Sequence, residues 1–533
     1  MNSIKITRAL LSVSDKTGLI DLANALHRHG VSLLASGGTA TALRNANLPV
    51  TDVSQVTGHG EAFGGRMKTL SFEIASGILF ERTRDAREAE KLGVKPIDMV
   101  ISNLYPFEKT YNAGANLEAL VENIDIGGPT LIRAAAKNFH AVASVTNPTQ
   151  YKNIIAELDS NNGCLTGKTR TALMVEAFAH TAHYDTVISS AMDQLGGKTT
   201  RTYKMELTKT LEYGENPHQK ATIWSTGNQE FPLQVIQGRE LSWNNIGDLE
   251  SAALAIGLIS TTACVVVKHG NPCGMASGES LNGATAFARA WAGDPISAFG
   301  SVVAFNCSVD KKTVEFLAFG HPNTTERKFV DVIVAPHYTN EALEYLARSK
   351  KMRVVVWKME EIIPATQRRM IGSFLLEQDS DTELATKWEN ATPNAMPDTL
   401  KGTAEFGIQA VRAIKSNAIA IALQNKDGSY QLTGMGSGQP NRVNSSKLAI
   451  EKTLELLSRE CGKNTDEYKW ALENSVVVSD AFFPFADSIE LYAEAGLKWI
   501  VQPGGSIRDS EVVAKATELG LGMTLTGTRH FRH

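Results

Sequence analysis

The sequence predicts an α/β protein, and three patterns carry that reading. Strand-like and helix-like segments alternate through the first two hundred residues, the order that a parallel sheet covered by helices imposes. Ala263-Cys264-Val265-Val266-Val267 is an unbroken apolar run. Its length and β-branching fit a strand buried on both faces, as in a parallel sheet. The region beyond residue 200 contains two further strand sets, Cys264 to Val267 with Ser301 to Phe305, and Ser475 to Val478 with Trp499 to Val501.

Taken in order, Ala9 to Val13 reads as a short strand and Lys16 to His29 as a helix ended by Gly30. Val31 to Ala35 is the next strand. Ser36-Gly37-Gly38-Thr39 then leads into a second helix. Ile97 to Ser102 and Ala141 to Val145 repeat the strand pattern. Gln194 to Arg201 is small, polar and basic, and marks a domain boundary, giving domains 1–198 and 199–533. A second polar stretch, Glu377 to Gly402, contains Pro393 and Pro397 and reads as a connection dividing the C-terminal domain into two units.

Composition narrows the function classes. At 533 residues, length alone predicts three or four domains. The formal net charge of −4 supplies no general attraction to nucleic acid. Cysteines 164, 264, 273, 307 and 461 show no CxxC spacing and read as reduced cytosolic thiols, so a cytoplasmic location is expected. The N-terminal apolar stretch is too short for a signal peptide, and no run approaches 18 apolar residues.

Lys268 and His269 follow the apolar run and precede Gly270-Asn271-Pro272-Cys273-Gly274. A base beside a fixed cation suits acyl transfer, in which a proton leaves and an oxyanion forms; a strand end meeting water would look the same. Ser36-Gly37-Gly38-Thr39 and Gln502-Pro503-Gly504-Gly505-Ser506 each follow a strand. Either is an anion cradle at a helix start or a plain tight turn. Gly64-Gly65-Arg66-Met67-Lys68-Thr69, Asn103-Leu104-Tyr105-Pro106-Phe107 and Ile124 to Thr130, with Arg133 and Lys137 beyond, favour a site for an anionic substrate over solvated surface. Three glycine or cysteine patterns are decoys. Gly434 to Gly438 misses the dinucleotide spacing, and Gly163 to Thr169 is one residue short of a P-loop. Pro272-Cys273 lacks the second cysteine of a zinc deaminase, because residue 276 is Ala, so no metal is expected.

Together these segments resemble a known family along essentially the whole chain. The carrying motifs are Val13-Ser-Asp-Lys-Thr-Gly18, Ala35-Ser-Gly-Gly-Thr39, Gly65-Arg-Met-Lys-Thr69, Asn103-Leu-Tyr-Pro-Phe107, Ile124-Asp-Ile-Gly-Gly128 and Arg133-Ala-Ala-Ala-Lys137. Further on come Tyr213-Gly-Glu-Asn-Pro-His-Gln219, Val267-Lys-His-Gly-Asn-Pro-Cys-Gly274, Asp294-Pro-Ile-Ser-Ala-Phe-Gly300, Lys415-Ser-Asn417, Ser479 to Phe485 and Gln502 to Ser506. The sequence resembles the bifunctional purine-biosynthesis family that joins phosphoribosylaminoimidazolecarboxamide formyltransferase to IMP cyclohydrolase.

The resemblance implies an N-terminal domain similar to methylglyoxal synthase and a C-terminal region of two units similar to cytidine deaminase but without zinc. It implies that His269 takes a proton from the substrate's 5-amino group while Lys268 and Asn417 stabilise the transition state. For the cyclohydrolase it implies Lys137 as the proton-transfer residue, with Lys68, Tyr105 and Asp125 as further catalytic positions. Ribotide contacts implied in that domain are Ser14, Lys16, Ser36, Gly37, Gly38, Thr39, Arg66, Thr69, Asn103, Ile126 and Gly127. In the transferase the implied substrate contacts, to nucleotide or folate, are Tyr213, Asn245, Gly300, Asp331, Arg442, Phe482, Asp487, Ser506, Ile507 and Arg529. No tightly bound cofactor is implied. 10-Formyltetrahydrofolate is the cosubstrate, AICAR, its formylated form and IMP are the ribotides, and a monovalent cation is left open. The resemblance also implies homodimers, with transferase sites formed between subunits.

The chain departs from the family pattern twice. Glu212 stands where the family has an arginine before Tyr213, and Leu70 to Gly77 replaces a segment that contains two histidines. The second departure motivates an alternative, an active formyltransferase fused to a ribotide-binding module that lacks cyclohydrolase activity.

Overall fold

The computed structural model describes residues 2–227 and 230–533. The chain divides into two compact units, Met1–Tyr203 and Lys204–His533, each built round its own hydrophobic core. Among the described residues no helix is long and apolar enough to cross a membrane.

The first unit holds a five-stranded, wholly parallel sheet. Its strands are β1 (Arg8–Val13), β2 (Ser32–Ala35), β3 (Val50–Asp52), β4 (Met99–Asn103) and β5 (Ala143–Val145), in the order β3-β2-β1-β4-β5. Alternate side chains feed two cores. Leu11, Leu33, Met99 and Ile101 pack on one face, and Leu10, Leu34 and Val100 on the other. Helices on both faces are α1 (Leu19–Arg28), α2 (Gly37–Asn45), α3 (Phe72–Leu79), α4 (Gly127–Lys137) and α5 (Gly167–Leu195). The strand order turns back beside β1, since β2 and β3 lie on one side and β4 and β5 on the other. Ligands of open α/β sheets bind at the carboxyl ends next to such a switch point.

One local expectation is corrected here and one strand is added. Helix α1 starts at Leu19, not Lys16. The Asp15 carboxylate accepts the Thr17 N–H at 2.9 Å and Gly18 sits at φ +67°, so residues 15–18 form a turn that cannot join the helix. β3 was missed because three residues after Pro49 are too few to show periodicity.

The second unit is built on one twelve-stranded sheet. Its main strands are β6 (Thr262–Lys268), β7 (Asn271–Gly278), β8 (Ser301–Phe305), β9 (Val330–Ala335), β10 (Arg353–Trp357), β11 (Ile419–Gln424), β12 (Tyr430–Gly436), β13 (Ser475–Ser479), β14 (Trp499–Gln502) and β15 (Gly522–Leu525). The order β10-β9-β8-β6-β7 is followed by β12-β11-β13-β14-β15, so each half is an antiparallel hairpin followed by three parallel strands. β7 and β12 join the halves antiparallel, pairing Ala276 with Gln431. One edge of the sheet therefore holds the β6–β7 turn of the first half beside the start of β11 in the second.

The parallel setting expected for Ala263–Val267 is corrected by this topology. β6 is buried on both faces but antiparallel to both neighbours. Helix α6 (Trp243–Ile256) covers Ala263, Val265 and Val267, and α7 (Gly283–Gly293) covers Cys264 and Val266. Two helix layers make the strand apolar throughout, whatever its direction. The stretch 377–402 is also more structured than a connection. It starts in the hairpin of Thr366–Ile371 and Phe374–Asp379 and continues through Glu389–Asn390, which pairs with β15 at the sheet edge.

Candidate active sites

In the first unit a cleft of about 600 Å³ opens at the carboxyl ends of β1, β2 and β4. Of the residues expected to serve the cyclohydrolase, Ser14, Lys16, Ser36, Gly37, Gly38, Thr39, Arg66, Lys68, Thr69, Asn103, Tyr105, Asp125, Ile126 and Gly127 all line it. Lys137 does not. It is exposed at the last position of α4, about 15 Å along the helix axis from Gly127 at 1.5 Å per residue.

The cleft floor is the start of α2. Gly37 has φ +51°, a left-handed conformation open to glycine. A β-carbon there would lie 3.6 Å from the Lys68 ammonium, and one on Gly38 would lie 3.8 Å from the Lys16 ammonium. A helix N-terminus with free N–H groups beside the Lys16 ammonium is the arrangement that holds a phosphate, and Lys68 adds a second cation at its rim. Thr39 is buried, and its hydroxyl ties this turn to Val13 N at 3.1 Å. Asn103 accepts from Ser14 N at 2.7 Å and Asp15 N at 2.8 Å, so it shapes the β1 loop.

Across the cleft, Asp125 accepts the Gly128 N–H at 2.7 Å. Burial pushes its carboxyl above the usual range, against the pull of the Gly128 and Tyr105 N–H groups and of Lys68. The Lys68 ammonium bonds Glu61 at 2.9 Å, and that carboxylate holds its pKa above the ordinary lysine value. Arg66 pairs with Glu122. The result is a fixed cation and a carboxyl whose charge burial disfavours, with the exposed Tyr105 in the same lining.

The changed segment after Leu70 runs away from this cleft. Ser71 caps α3 by accepting from Ile74 N at 3.2 Å, and residues 71–77 are absent from the lining.

In the second unit the β6–β7 hairpin turns through His269 at φ +52° and Gly270 at φ +74°. Two consecutive positive φ angles make the tight turn that hairpin strands favour. A non-glycine residue in that region is uncommon and is strained unless its surroundings hold it. Lys268 donates to Phe299 O at 2.9 Å and Gly300 O at 2.8 Å. Asp248 on α6 accepts the Gly270 N–H at 2.6 Å, and burial raises its carboxyl.

The second half brings Asn417 to the same edge. Lys415 N donates to Asn271 Oδ1 at 3.0 Å, linking the two turns. Asn417 donates through Nδ2 to Gln439 O at 2.9 Å. The buried Asp480 carboxylate accepts from Ser416 Oγ at 2.6 Å and from Arg442 at 2.5 Å, and Arg442 also donates to Phe482 O at 3.2 Å. In the first half, Asp331 accepts from Asn245 at 2.9 Å and Arg353 at 2.6 Å, near the start of β9 and beside Gly300, whose N–H donates to Phe329 O.

The remaining expected residues are more scattered. Tyr213 is half-buried, Asp487 opens the helix Asp487–Glu494, and Ile507 is fully exposed. Arg529 lies over the Phe531 ring at 4.5 Å. The Gly504-Gly505-Ser506 loop is occupied by the chain itself, since Asp509 accepts from Gly505 N at 2.6 Å and Ser506 N at 3.1 Å. That answers one of the two local anion-cradle expectations: these N–H groups are already satisfied.

Sequence reasoning missed Asp248 and Asp480 as supports of these two turns. Asp480 stood inside a quoted motif, and Asp248 lies three residues after Asn245 on one helical face.

Comparison with known proteins fits this geometry. Residues 135–452 match the family model described as AICARFT/IMPCHase bienzyme, and residues 18–130 match the MGS-like domain. A protein of Xanthomonas euvesicatoria pv. vesicatoria named bifunctional purine biosynthesis protein PurH is 40% identical over 548 residues, covering 99% of both chains. One of the same name from Persephonella marina is 40% identical over 540 residues, again covering 99% of both. A solved structure titled "Crystal structure of ForH" is 34% identical, covers 35% of this chain and 99% of its own, and has a TM-score of 0.32.

Proposed function

The chain belongs to the AICARFT/IMPCHase bienzyme family and is a bifunctional enzyme of purine biosynthesis, and from that premise we propose how its residues divide the work. The cleft of the first unit closes the formylated ribotide to IMP. The β6–β7 turn with its surroundings transfers the formyl group from 10-formyltetrahydrofolate to AICAR. The observation that supports the first assignment is the α2 N-terminus flanked by the Lys16 and Lys68 ammoniums, facing Asp125 and Tyr105.

In ring closure the carboxamide nitrogen attacks a formyl carbon of the same molecule, and water is lost. The enzyme folds the substrate, polarises the formyl oxygen and moves protons. Ser36 to Thr39 and Lys16 take the phosphate. Lys68 faces the formyl oxygen, while Asp125 and Tyr105 carry protons. The changed 71–77 segment lies outside the lining, which favours an active cyclohydrolase over the binding-module alternative.

In formyl transfer the 5-amino nitrogen attacks the formyl carbon, and the carbonyl becomes an oxyanion before the folate nitrogen leaves. His269 takes the amine proton as a positioned base, and the departing folate nitrogen takes up a proton as the C–N bond breaks. Lys268 uses two of its three N–H donors on Phe299 O and Gly300 O, so one remains for the oxyanion. The second amide hydrogen of Asn417 supplies another. We propose that the enzyme acts as a homodimer in the cytoplasm.

The deciding assay supplies the intact protein with the formylated ribotide and no folate. IMP formation above the uncatalysed rate supports the assignment; none leaves the first unit a binding module.

Two further outcomes are expected. A fragment of residues 1–203 retains the parallel sheet and both its core faces, so it folds alone and its melting temperature rises at saturating IMP. An IMP-independent melt counts against the cleft. Glu212 is exposed beside half-buried Tyr213, and the family's arginine is a cation near an anionic substrate. Glu212→Arg therefore lowers the transferase KM for the ribotide and leaves kcat little changed, because the contact is to a non-reacting group. Steady-state kinetics check it, and an unchanged KM places the side chain outside the site.

A further inference from the structure

The last eight residues form neither helix nor strand, yet they are anchored in the second unit. His530 is buried; its N–H donates to Asp480 O at 2.8 Å, and its ring meets Asp381 Oδ2 at 2.7 Å. Two residues on, the Arg532 guanidinium spans three acceptors: Gly270 O at 2.8 Å, Ala413 O at 2.5 Å and Ser251 Oγ at 2.7 Å. Its backbone pairs with Ser416, accepting from Ser416 N at 2.9 Å and donating to Ser416 Oγ at 3.2 Å.

One residue thus touches both the β6–β7 turn and the turn that holds Asn417. Gly270 follows His269, and its peptide groups are held from two sides. Asp248 takes its N–H and Arg532 takes its carbonyl. His269 needs such support, because φ +52° is a conformation that only a well-determined environment keeps populated. Ser416 precedes Asn417, so the same tail residue also fixes the amide.

We propose that Arg532 is a positioning residue for formyl transfer: its guanidinium clamps the Gly270 carbonyl, and with it the imidazole of His269, while its backbone sets Asn417 through Ser416. The proposal rests on the reading of His269 as the base. Arg532 spends its donors on protein acceptors and not on substrate, so its loss changes geometry and leaves ribotide binding intact. A lysine in its place offers a single ammonium that cannot span three acceptors.

The test uses full-length Arg532→Ala, Arg532→Lys and His269→Ala. Transferase kcat, ribotide KM, cyclohydrolase rate and melting temperature are measured on the same preparations. Expected for Arg532→Ala is a kcat about 10²-fold lower, the scale on which small misplacements cost rate. KM stays within about two-fold, a change too small to signal a lost substrate contact. The cyclohydrolase is unchanged, and millimolar guanidinium restores part of the lost transfer. Arg532→Lys keeps the melting temperature but not the rate, and it decides the matter if the alanine variant fails to fold. Wild-type kcat in a folded Arg532→Lys, or a loss confined to KM, overturns the proposal. Silent Arg532 variants beside an inactive His269→Ala remove the clamp alone. Wild-type transfer by His269→Ala removes the reading beneath it.

Discussion

His269→Ala lowers the kcat of formyl transfer by about 10² or more, the usual contribution of a positioned base, and leaves IMP formation by the same chain unchanged. The attacking amine is attached to an aromatic ring and is a poor nucleophile, so removing its proton as it attacks is where the barrier falls. His269 stands at the tip of the β6–β7 turn, exposed to a substrate, next to an ammonium bonded to two carbonyls. The two units have separate cores, so the cyclohydrolase rate of each preparation serves as the control for folding. Transfer at the wild-type rate by the variant would falsify the assignment of the base.

Much of this site was legible because its residues are contiguous. Lys268, His269 and the Asn-Pro-Cys-Gly that follows form one run, and the run is one hairpin turn. The strand in front of it was legible for the same reason: five apolar residues in a row have few structural meanings. Its direction was not legible. Burial on both faces reports two helix layers, and α6 and α7 provide them over an antiparallel strand as well as over a parallel one.

What the sequence hid is long-range. Arg532 and Gly270 lie 262 residues apart, and no local pattern encodes that meeting. Glycine clusters were ambiguous in the same way. Ser36-Gly-Gly-Thr39 and Gln502 to Ser506 read alike, yet one faces an open cleft and the other closes on Asp509. The difference is one carboxylate placed on the next turn of chain, which supplies the negative charge that a ligand would otherwise bring. The α1 start failed for a local reason: the Asp15–Thr17 hydrogen bond competes with the helix for the same backbone.

The cyclohydrolase distributes its largest losses within the cleft. Lys68→Ala and Asp125→Asn each lower the conversion of formylated ribotide to IMP by about 10² or more, the range for removing a charge-stabilising donor or a positioned acid–base group. Formyl transfer is unaffected. EDTA leaves both rates unchanged, since the roles argued for Lys68, Tyr105 and Asp125 need no metal. Asp125 is the more diagnostic of the two. Its carboxyl is raised by burial and held by the Gly128 N–H at 2.7 Å. Asparagine keeps that hydrogen bond and the shape while removing the titrating group, so a folded but slow variant isolates the proton. Lys137→Ala is measured beside them. Family resemblance makes Lys137 the proton-transfer residue, but the helix carries it about 15 Å from the cleft end of α4. A loss matching that of Lys68→Ala would mean that Lys137 serves a substrate that this unit's cleft does not hold by itself, as in a site completed by a second copy. A small loss leaves Lys68 as the cation of the reaction. Near-wild-type IMP formation by both Lys68→Ala and Asp125→Asn would empty the cleft of the role argued for it, whatever Lys137 does.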